Sequence, residues 1–147
     1  MKTLILEKED IMNIIPHRKP MLFADRASVI LDSEGHVERC QTEFDVPADW
    51  EIFKGHFQEE PIMPGVLILE AMAQCADLLI LYSKAENALP LLSGVRSVRF
   101  FRPVRPGDTL MLTAQIRESA LTTYECYVVA ELAGNKAAQG TITITLK

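Results

Sequence analysis

Apolar and polar residues alternate along three segments in the second half of the chain. These segments cover residues 110–116, 124–132 and 142–146, and a fourth β-rich segment covers residues 91–101. A period of two predicts strands that bury one face and expose the other. The connections between the alternating segments are short and carry turn-forming residues at 118–121 and at Gly134-Asn135. Because connections this short can join only antiparallel neighbours, we expect an antiparallel sheet.

The first half of the chain predicts a short helix followed by a hairpin. Residues 7–15 carry isoleucines at helical spacing and stop at Pro16, which cannot continue a helix. Two segments rich in β-forming residues, 21–31 and 37–44, flank a polar turn cluster at 32–35. We therefore expect two paired strands here.

The longest apolar stretch, residues 65–83, predicts one long helix because its interior lacks Gly and Pro. Glu70, Gln74 and Asp77 interrupt it, which argues against a membrane span and favours a buried core helix. A helix that is apolar on most sides needs cover on most sides, and a curved sheet supplies it. The element order has too many strands for a doubly wound parallel sheet. The predicted class is therefore α+β, with an antiparallel sheet wrapped around one helix.

Composition and charge narrow the class of protein. With 147 residues, 48% apolar and 24% charged, residues 1–147 fit a single globular domain with one core. The net charge of −5 argues against nucleic acid or an anionic membrane as a partner. The N-terminal segment has no apolar core of a secretory signal, and Cys40, Cys75 and Cys126 lie far apart. We expect a cytoplasmic protein with reduced, buried thiols.

The polar positions of the long helix admit two interpretations. Spacings of four and three place Glu70, Gln74 and Asp77 on one face. That face is a solvent-exposed seam in the first interpretation, which we favour for Asp77 because it lies toward the end of the helix. In the second, Glu70 is a buried carboxyl, ringed by apolar neighbours, that is kept neutral as a general acid.

The loop before this helix carries a candidate base and a candidate oxyanion site. His56 lies in this loop, and histidine is the side chain that titrates near neutral pH. Gly65 begins the helix, where backbone N–H groups lack intrahelical partners and a second oxygen can approach closely. We interpret His17 and His36 as structural or exposed.

Three segments occur in an order that identifies a family. They read GHFQEEPIMPGVLILEAMAQ at 55–74, IIPHRKPMLFADR at 14–26 and VRFFRPVRPGDTL at 98–110. Together they resemble the motifs of bacterial (3R)-hydroxyacyl-[acyl carrier protein] dehydratases of the FabZ type. The resemblance implies a hot-dog fold, in which a six-stranded antiparallel sheet wraps around the central helix. It also implies homodimers, which can associate further into trimers of dimers, and a site at the dimer interface.

The resemblance implies a role for each motif residue. His56 of one protomer and Glu70 of the other would be the catalytic pair that dehydrates the 3-hydroxyacyl thioester to a trans-2-enoyl thioester. The Gly65 N–H would polarise the thioester carbonyl, and the Val66 carbonyl would orient the imidazole. The residues that would shape the substrate site are Phe57, Pro64, Val66 and Leu91. The reaction needs neither a metal nor another cofactor.

The sequence departs from the family pattern at three places. Gln58 stands where proline is usual, Lys19 stands where tyrosine is usual, and Leu91 stands where some members have a tyrosine that gates the acyl tunnel. None of the three removes a catalytic group. They leave the length of the acyl chain and the pathway open.

Two other functions remain as alternatives. One is a hot-dog acyl thioesterase, against which the motif from His56 to Glu70 argues. The other is a non-catalytic subunit that binds an acyl carrier, and it is disfavoured because both candidate catalytic groups are present.

Four arginines, half of the eight in the chain, lie within ten residues of an otherwise acidic sequence. They are Arg96, Arg99, Arg102 and Arg105. One interpretation is a solvated strand edge, which charged residues protect from unwanted pairing. The other, equally weighted, is a docking patch for an acidic acyl carrier protein with its phosphopantetheine arm.

Overall fold

In the computed structural model, which describes residues 1–84 and 87–147, a seven-stranded sheet packs against one long helix. The strands are β1 (Lys2–Leu6), β2 (Arg26–Leu31), β3 (Val37–Asp45), β4 (Pro90–Phe100), β5 (Thr109–Ala120), β6 (Thr123–Leu132) and β7 (Asn135–Leu146). The helices are α1 (Lys8–Ile14) and α2 (Gly65–Lys84), and a single 3₁₀ turn spans Glu51–Lys54. The α+β hot-dog arrangement expected from the sequence is confirmed.

The sheet runs in the order β1-β2-β3-β5-β6-β7-β4, and each neighbouring pair is antiparallel. On β6 and β7 buried residues alternate with half-buried ones, as the period-two pattern predicts. The tight connection between these two strands uses Ala133 and Gly134, both with positive φ. Strands β1 and β4 form the two edges of the sheet.

The expected count of six strands was too low by one. Strand β1 pairs with β2, yet none of its five residues is fully buried. An edge strand of this kind takes its stability from backbone pairing, so its sequence lacks a clean alternation. The strand expected over residues 21–31 also begins later, at Arg26, because residues 21–25 form a connection across the polar face of α2.

Helix α2 forms the centre of the core. It is long and apolar enough to cross a membrane, but 67% of its most apolar window is buried inside the protein. It packs chiefly against β5 and β3, and then against β6 and β7. Cys40, Cys75 and Cys126 are free and buried, as predicted. The sheet therefore covers the helix along much of its length.

The edge strand β4 exposes apolar side chains. Leu91, Leu92, Val95 and Phe100 are each at least 40% exposed. Two bulges interrupt its pairing with β7, and Val98 packs directly over Gly140, where an added Cβ would lie 2.7 Å from the Val98 Cα. The strand thus runs close to β7 while it presents an apolar face outward.

Candidate active site

His56 lies in a loop that is closed by backbone hydrogen bonds between its own residues. The Ile62 N–H donates to the His56 carbonyl at 2.9 Å, and the Phe57 N–H donates to the Glu60 carbonyl at 3.3 Å. The imidazole Nδ1 lies 2.9 Å from the Ile62 carbonyl oxygen. A carbonyl only accepts, so Nδ1 carries the hydrogen and Nε2 of the neutral ring holds the free lone pair. The expectation that the Val66 carbonyl orients this ring was wrong.

Phe57 fixes the plane of the imidazole. Its ring stacks on His56 with centroids 4.1 Å apart and an interplanar angle of 25°. The Phe57 side chain is nevertheless 52% exposed. The loop thus presents an oriented imidazole next to an open apolar surface.

The first turn of α2 leaves two backbone donors free. The Pro64 carbonyl accepts from Leu67 and Ile68, at 2.9 and 3.1 Å. Within the described residues the N–H groups of Gly65 and Val66 have no acceptor. These donors and the positive end of the helix dipole can bind an oxygen that develops negative charge.

Phe100 of β4 lies over the same helix start. A Cβ added at Gly65 would lie 3.4 Å from the Phe100 ring, so glycine lets the ring pack against the backbone. A cavity of about 380 Å³ opens at this point, and Gly65, Phe100, Phe101 and Arg102 are among the residues that line it. Sequence reasoning missed Phe100 because its ring reaches the helix only after β4 pairs with β7.

Glu70 lies one turn further along α2, and a neighbouring amide holds its carboxylate. Gln74 Nε2 donates to Glu70 Oε2 at 2.9 Å and to the Met21 carbonyl at 2.7 Å. Gln74 Oε1 accepts from the Phe23 N–H at 2.7 Å. Because one backbone partner only accepts and the other only donates, the amide has a single orientation. Gln74 therefore anchors Glu70 to the segment between α1 and β2.

Asp77 is buried, and the expectation that it faces solvent was wrong. Its side chain is only 4% exposed, because the segment that carries His17 covers this face of α2. The His17 Nε2 lies 3.5 Å from Glu70 Oε2 and 3.7 Å from Asp77 Oδ2. His17 is thus largely buried and lies beside a candidate catalytic group. His36 is 74% exposed, as expected.

Burial governs the protonation of this cluster. It raises the pKa of the Asp77 carboxyl well above its usual range, and the nearby Glu70 raises it further. Burial also lowers the pKa of His17, with Glu70 opposing that shift and Arg18 adding to it. Burial therefore favours the neutral form of both Asp77 and His17.

Replacing Asp77 with asparagine is expected to raise the melting temperature, and increasingly so toward alkaline pH. The folded chain holds a proton on Asp77 that the unfolded chain releases above about pH 4, so the free energy of unfolding falls as pH rises. Asparagine does not titrate and removes this cost. Thermal unfolding between pH 5 and 8 checks a difference on the order of a few degrees. A gain that is independent of pH, or that the exposed Asp49→Asn control reproduces, contradicts the prediction.

The four arginines differ in their partners. Arg96 pairs with Glu125 at 2.8 Å and Arg105 pairs with Glu60 at 3.3 Å. Arg102 donates from Nε to the Lys136 carbonyl, and Arg99 and Arg102 have no carboxylate partner within residues 1–84 and 87–147. The uncompensated positive charge of the segment therefore lies on Arg99 and Arg102.

The remaining predicted positions lie near the helix start or on the surface. Pro64 is buried at the start of α2, Val66 is 73% exposed, and Leu91 is 43% exposed on β4. In the part of the chain that the structure describes, no hydrogen bond or ion pair joins His56 to Glu70. No group of three or more His, Cys, Asp or Glu side chains among these residues is arranged to hold a metal ion.

Comparison with protein families finds one match across most of the chain, a FabA-like domain at residues 15–141. The chain is 37% identical over 139 residues to the 3-hydroxyacyl-[acyl-carrier-protein] dehydratase FabZ of Petrotoga mobilis, covering 95% of this chain and 96% of the relative. It is 39% identical over 144 residues to the FabZ of Streptococcus agalactiae serotype V, covering 97% and 99%.

Solved structures share the fold at low sequence identity. The dehydratase heterocomplex ApeI:P from Xenorhabdus doucetiae gives a TM-score of 0.76 at 16% identity, covering 93% of this chain and 90% of that one. The E. coli PaaI protein from the phenylacetic acid degradation operon gives 0.60 at 18% identity, covering 81% and 82%.

Proposed function

The chain belongs to the FabA-like family as a FabZ-type 3-hydroxyacyl-[acyl-carrier-protein] dehydratase, and on this premise we propose that His56 and Glu70 carry out the dehydration. It is a lyase of fatty acid biosynthesis. The observation that best supports this assignment concerns hydrogen bonding. In each side chain, one polar atom has a hydrogen-bond partner and the other is free. His56 Nδ1 is held by the Ile62 carbonyl, and Glu70 Oε2 is held by Gln74.

The free atoms match the two proton transfers that dehydration needs. His56 Nε2 takes a proton from C2 of the 3-hydroxyacyl thioester, and the electron pair of that bond moves toward the thioester carbonyl. The N–H groups of Gly65 and Val66 stabilise the negative charge on the carbonyl oxygen. The electrons then form the C2–C3 double bond while Glu70 Oε1 protonates the departing hydroxyl, which leaves as water. The products are the trans-2-enoyl thioester and water, without a metal or another cofactor.

We propose that two copies of the chain complete each site. His56 and Glu70 share no hydrogen bond or ion pair among the described residues, and Val66 and Phe57 each expose apolar surface. Strand β4 offers an apolar edge for a partner, as isologous dimers require. The whole segment 1–147 acts as one domain in a cytoplasmic homodimer, with a trimer of dimers as the larger assembly.

Phe57, Pro64, Val66 and Leu91 shape the acyl site in this proposal. Leu91 is apolar and half-exposed on β4, so it can border the acyl chain without the hydroxyl of a gating tyrosine. Lys19 and Gln58, the other two departures, border surface cavities away from Gly65. We therefore expect Leu91 to affect the preference for acyl-chain length more than Lys19 and Gln58 do.

We propose that an acyl carrier protein docks on Arg99 and Arg102, with Arg96 and Arg105 contributing less because carboxylates already compensate them. Arg102 lines the cavity that begins at Gly65, so a phosphate bound there would direct its pantetheine arm toward the helix start. Complementary charge accelerates such encounters and weakens at high salt.

The double variant Arg99→Glu/Arg102→Glu is expected to raise KM for a carrier-linked substrate on the order of 10-fold at low salt. Turnover of a pantetheine thioester should change little, since that mimic lacks the carrier. The matched control Arg96→Glu/Arg105→Glu changes the net charge equally but removes compensated charges. Equal losses on both substrates, or equal effects of both double variants, contradict docking at Arg99 and Arg102.

The activity is tested by incubating the protein with a 3-hydroxyacyl carrier thioester while the enoyl absorbance and free thiol are followed together. We expect enoyl formation without release of thiol. Thiol release identifies a thioesterase instead, and silence in both channels over several chain lengths identifies a binding subunit.

A further inference from the structure

A cluster of four polar side chains lies beside Glu70 at the edge of the apolar core. Glu70, Gln74 and Asp77 come from α2, and His17 comes from the segment between α1 and β2. We propose that His17 and Asp77 are positioning residues for Glu70: His17 holds Oε2, and Asp77 holds His17. The inference rests on the proposed function, since it assigns Glu70 to the reaction.

The cluster distinguishes the two oxygens of the Glu70 carboxyl. Gln74 Nε2 donates to Oε2 at 2.9 Å, and His17 Nε2 faces the same oxygen at 3.5 Å. Neither contact reaches Oε1. Two neighbours on one oxygen restrict rotation of the carboxyl group, so Oε1 stays directed away from the cluster. A group held in one orientation before the substrate binds reacts faster than one that must be ordered afterwards.

The surroundings of His17 define its tautomer. Nε2 faces two carboxyl oxygens, at 3.5 and 3.7 Å, whereas Nδ1 is buried without a partner in the part of the chain that the structure describes. A hydrogen on Nε2 points at acceptors, and a hydrogen on Nδ1 would be a buried donor with none. The Nε2–H therefore faces Glu70 and Asp77 in polar contacts that are longer than an ordinary hydrogen bond.

A buried aspartate at position 77 does not help to stabilise the fold. Its side chain is 4% exposed, Oδ1 has no partner among the described residues, and an apolar residue would pack there at lower cost. The titratable groups that face it are Glu70 on its own helix, His17 above it and Cys126 on β6. Burial raises the pKa of the Cys126 thiol to about 12, so that thiol is neutral.

A neutral Asp77 can pack against His17 without placing a charge beside Glu70. Its Oδ2 lies 3.7 Å from the imidazole Nε2, a polar packing contact that is longer than a hydrogen bond. An ionised Asp77 would instead place a negative charge in the core, which burial opposes. Asp77 thus acts through His17 by shape and polar packing, and not by charge.

A double-variant cycle tests this order of action. His17→Leu is expected to lower kcat on the order of 30-fold, and Asp77→Ala about 10-fold, with KM within about 2-fold in both. The double variant should be no slower than His17→Leu, because Asp77 has no further effect once His17 is gone. Asp77→Asn, which keeps the shape and an acceptor oxygen, should recover most of the kcat lost by Asp77→Ala.

The outcomes separate failure of this inference from failure of the proposed function. An inactive wild type overturns the proposed function, and an active Glu70→Gln variant overturns the assignment of Glu70 to the reaction. With wild type active and Glu70→Gln inactive, multiplicative losses in the double variant overturn only the positioning role, as does Asp77→Asn matching Asp77→Ala. Carboxyl ¹³C resonances give a readout that needs no alanine variant: the Asp77 signal, identified by its loss in Asp77→Asn, should keep the protonated shift from pH 5 to 8. An ionised shift at pH 7 overturns the neutral Asp77.

Discussion

Replacing His56 with alanine is expected to lower kcat for dehydration by about 10³-fold, because removing a positioned general base costs about 10²- to 10⁴-fold. Nε2 is the only ring nitrogen free to take the C2 proton, since the Ile62 carbonyl holds Nδ1. KM should change by less than about 3-fold, because the backbone donors at Gly65 and the acyl surface remain. Steady-state kinetics of enoyl formation measure both constants.

The fold should survive this change. His56 is only partly buried and its ring stacks on an exposed phenyl ring, so the loss of stability stays within about 1 kcal/mol. His36→Ala, at a 74% exposed position, is the matched control and should keep wild-type kcat. Near-wild-type turnover by folded His56→Ala would remove His56 from the mechanism.

The Glu70→Gln variant is expected to lose about 10²- to 10³-fold in kcat, since glutamine cannot protonate the departing hydroxyl. The amide is nearly isosteric, and its oxygen can still accept from Gln74 Nε2. The loss should therefore appear in kcat with a melting temperature close to that of the wild type.

Two further variants identify the cause of that loss. Glu9→Gln, at an exposed position on α1, is the matched control for removal of a carboxylate and should be fully active. Glu70→Asp keeps a carboxylic acid but shortens its reach, so it should retain more activity than Glu70→Gln. If Glu70→Gln were as active as Glu70→Asp or more active, proton donation by Glu70 would be contradicted.

Sequence patterns predicted most of the fold because burial of one face of a strand or of a helix leaves a periodic pattern within a few consecutive residues. Alternation located β6 and β7, since each of these strands buries one face against α2. The apolar run located α2 to within one residue at its C-terminal end. Strand β1 was missed because backbone pairing at a sheet edge leaves little trace in side-chain pattern.

The site was predictable only where its residues are close in sequence. Motifs identified His56, Gly65 and Glu70, which lie within fifteen residues. The role of His17 depends on a contact with Glu70 across 53 positions, and periodicity carries no information on such a contact. One signal was present: a glutamine on an apolar helix needs buried partners, and Gln74 finds them in the segment next to His17.

Mixing two inactive variants tests the central claim, that His56 and Glu70 of different protomers form one dehydration site. Coexpression of His56→Ala with Glu70→Gln, followed by the enoyl assay, pairs the chains at random. Half of the dimers are then mixed, and each mixed dimer holds one intact site of two, so about one quarter of wild-type kcat should return. If both residues act within one chain, no pairing restores a site, and activity no higher than that of the separate variants would contradict the account.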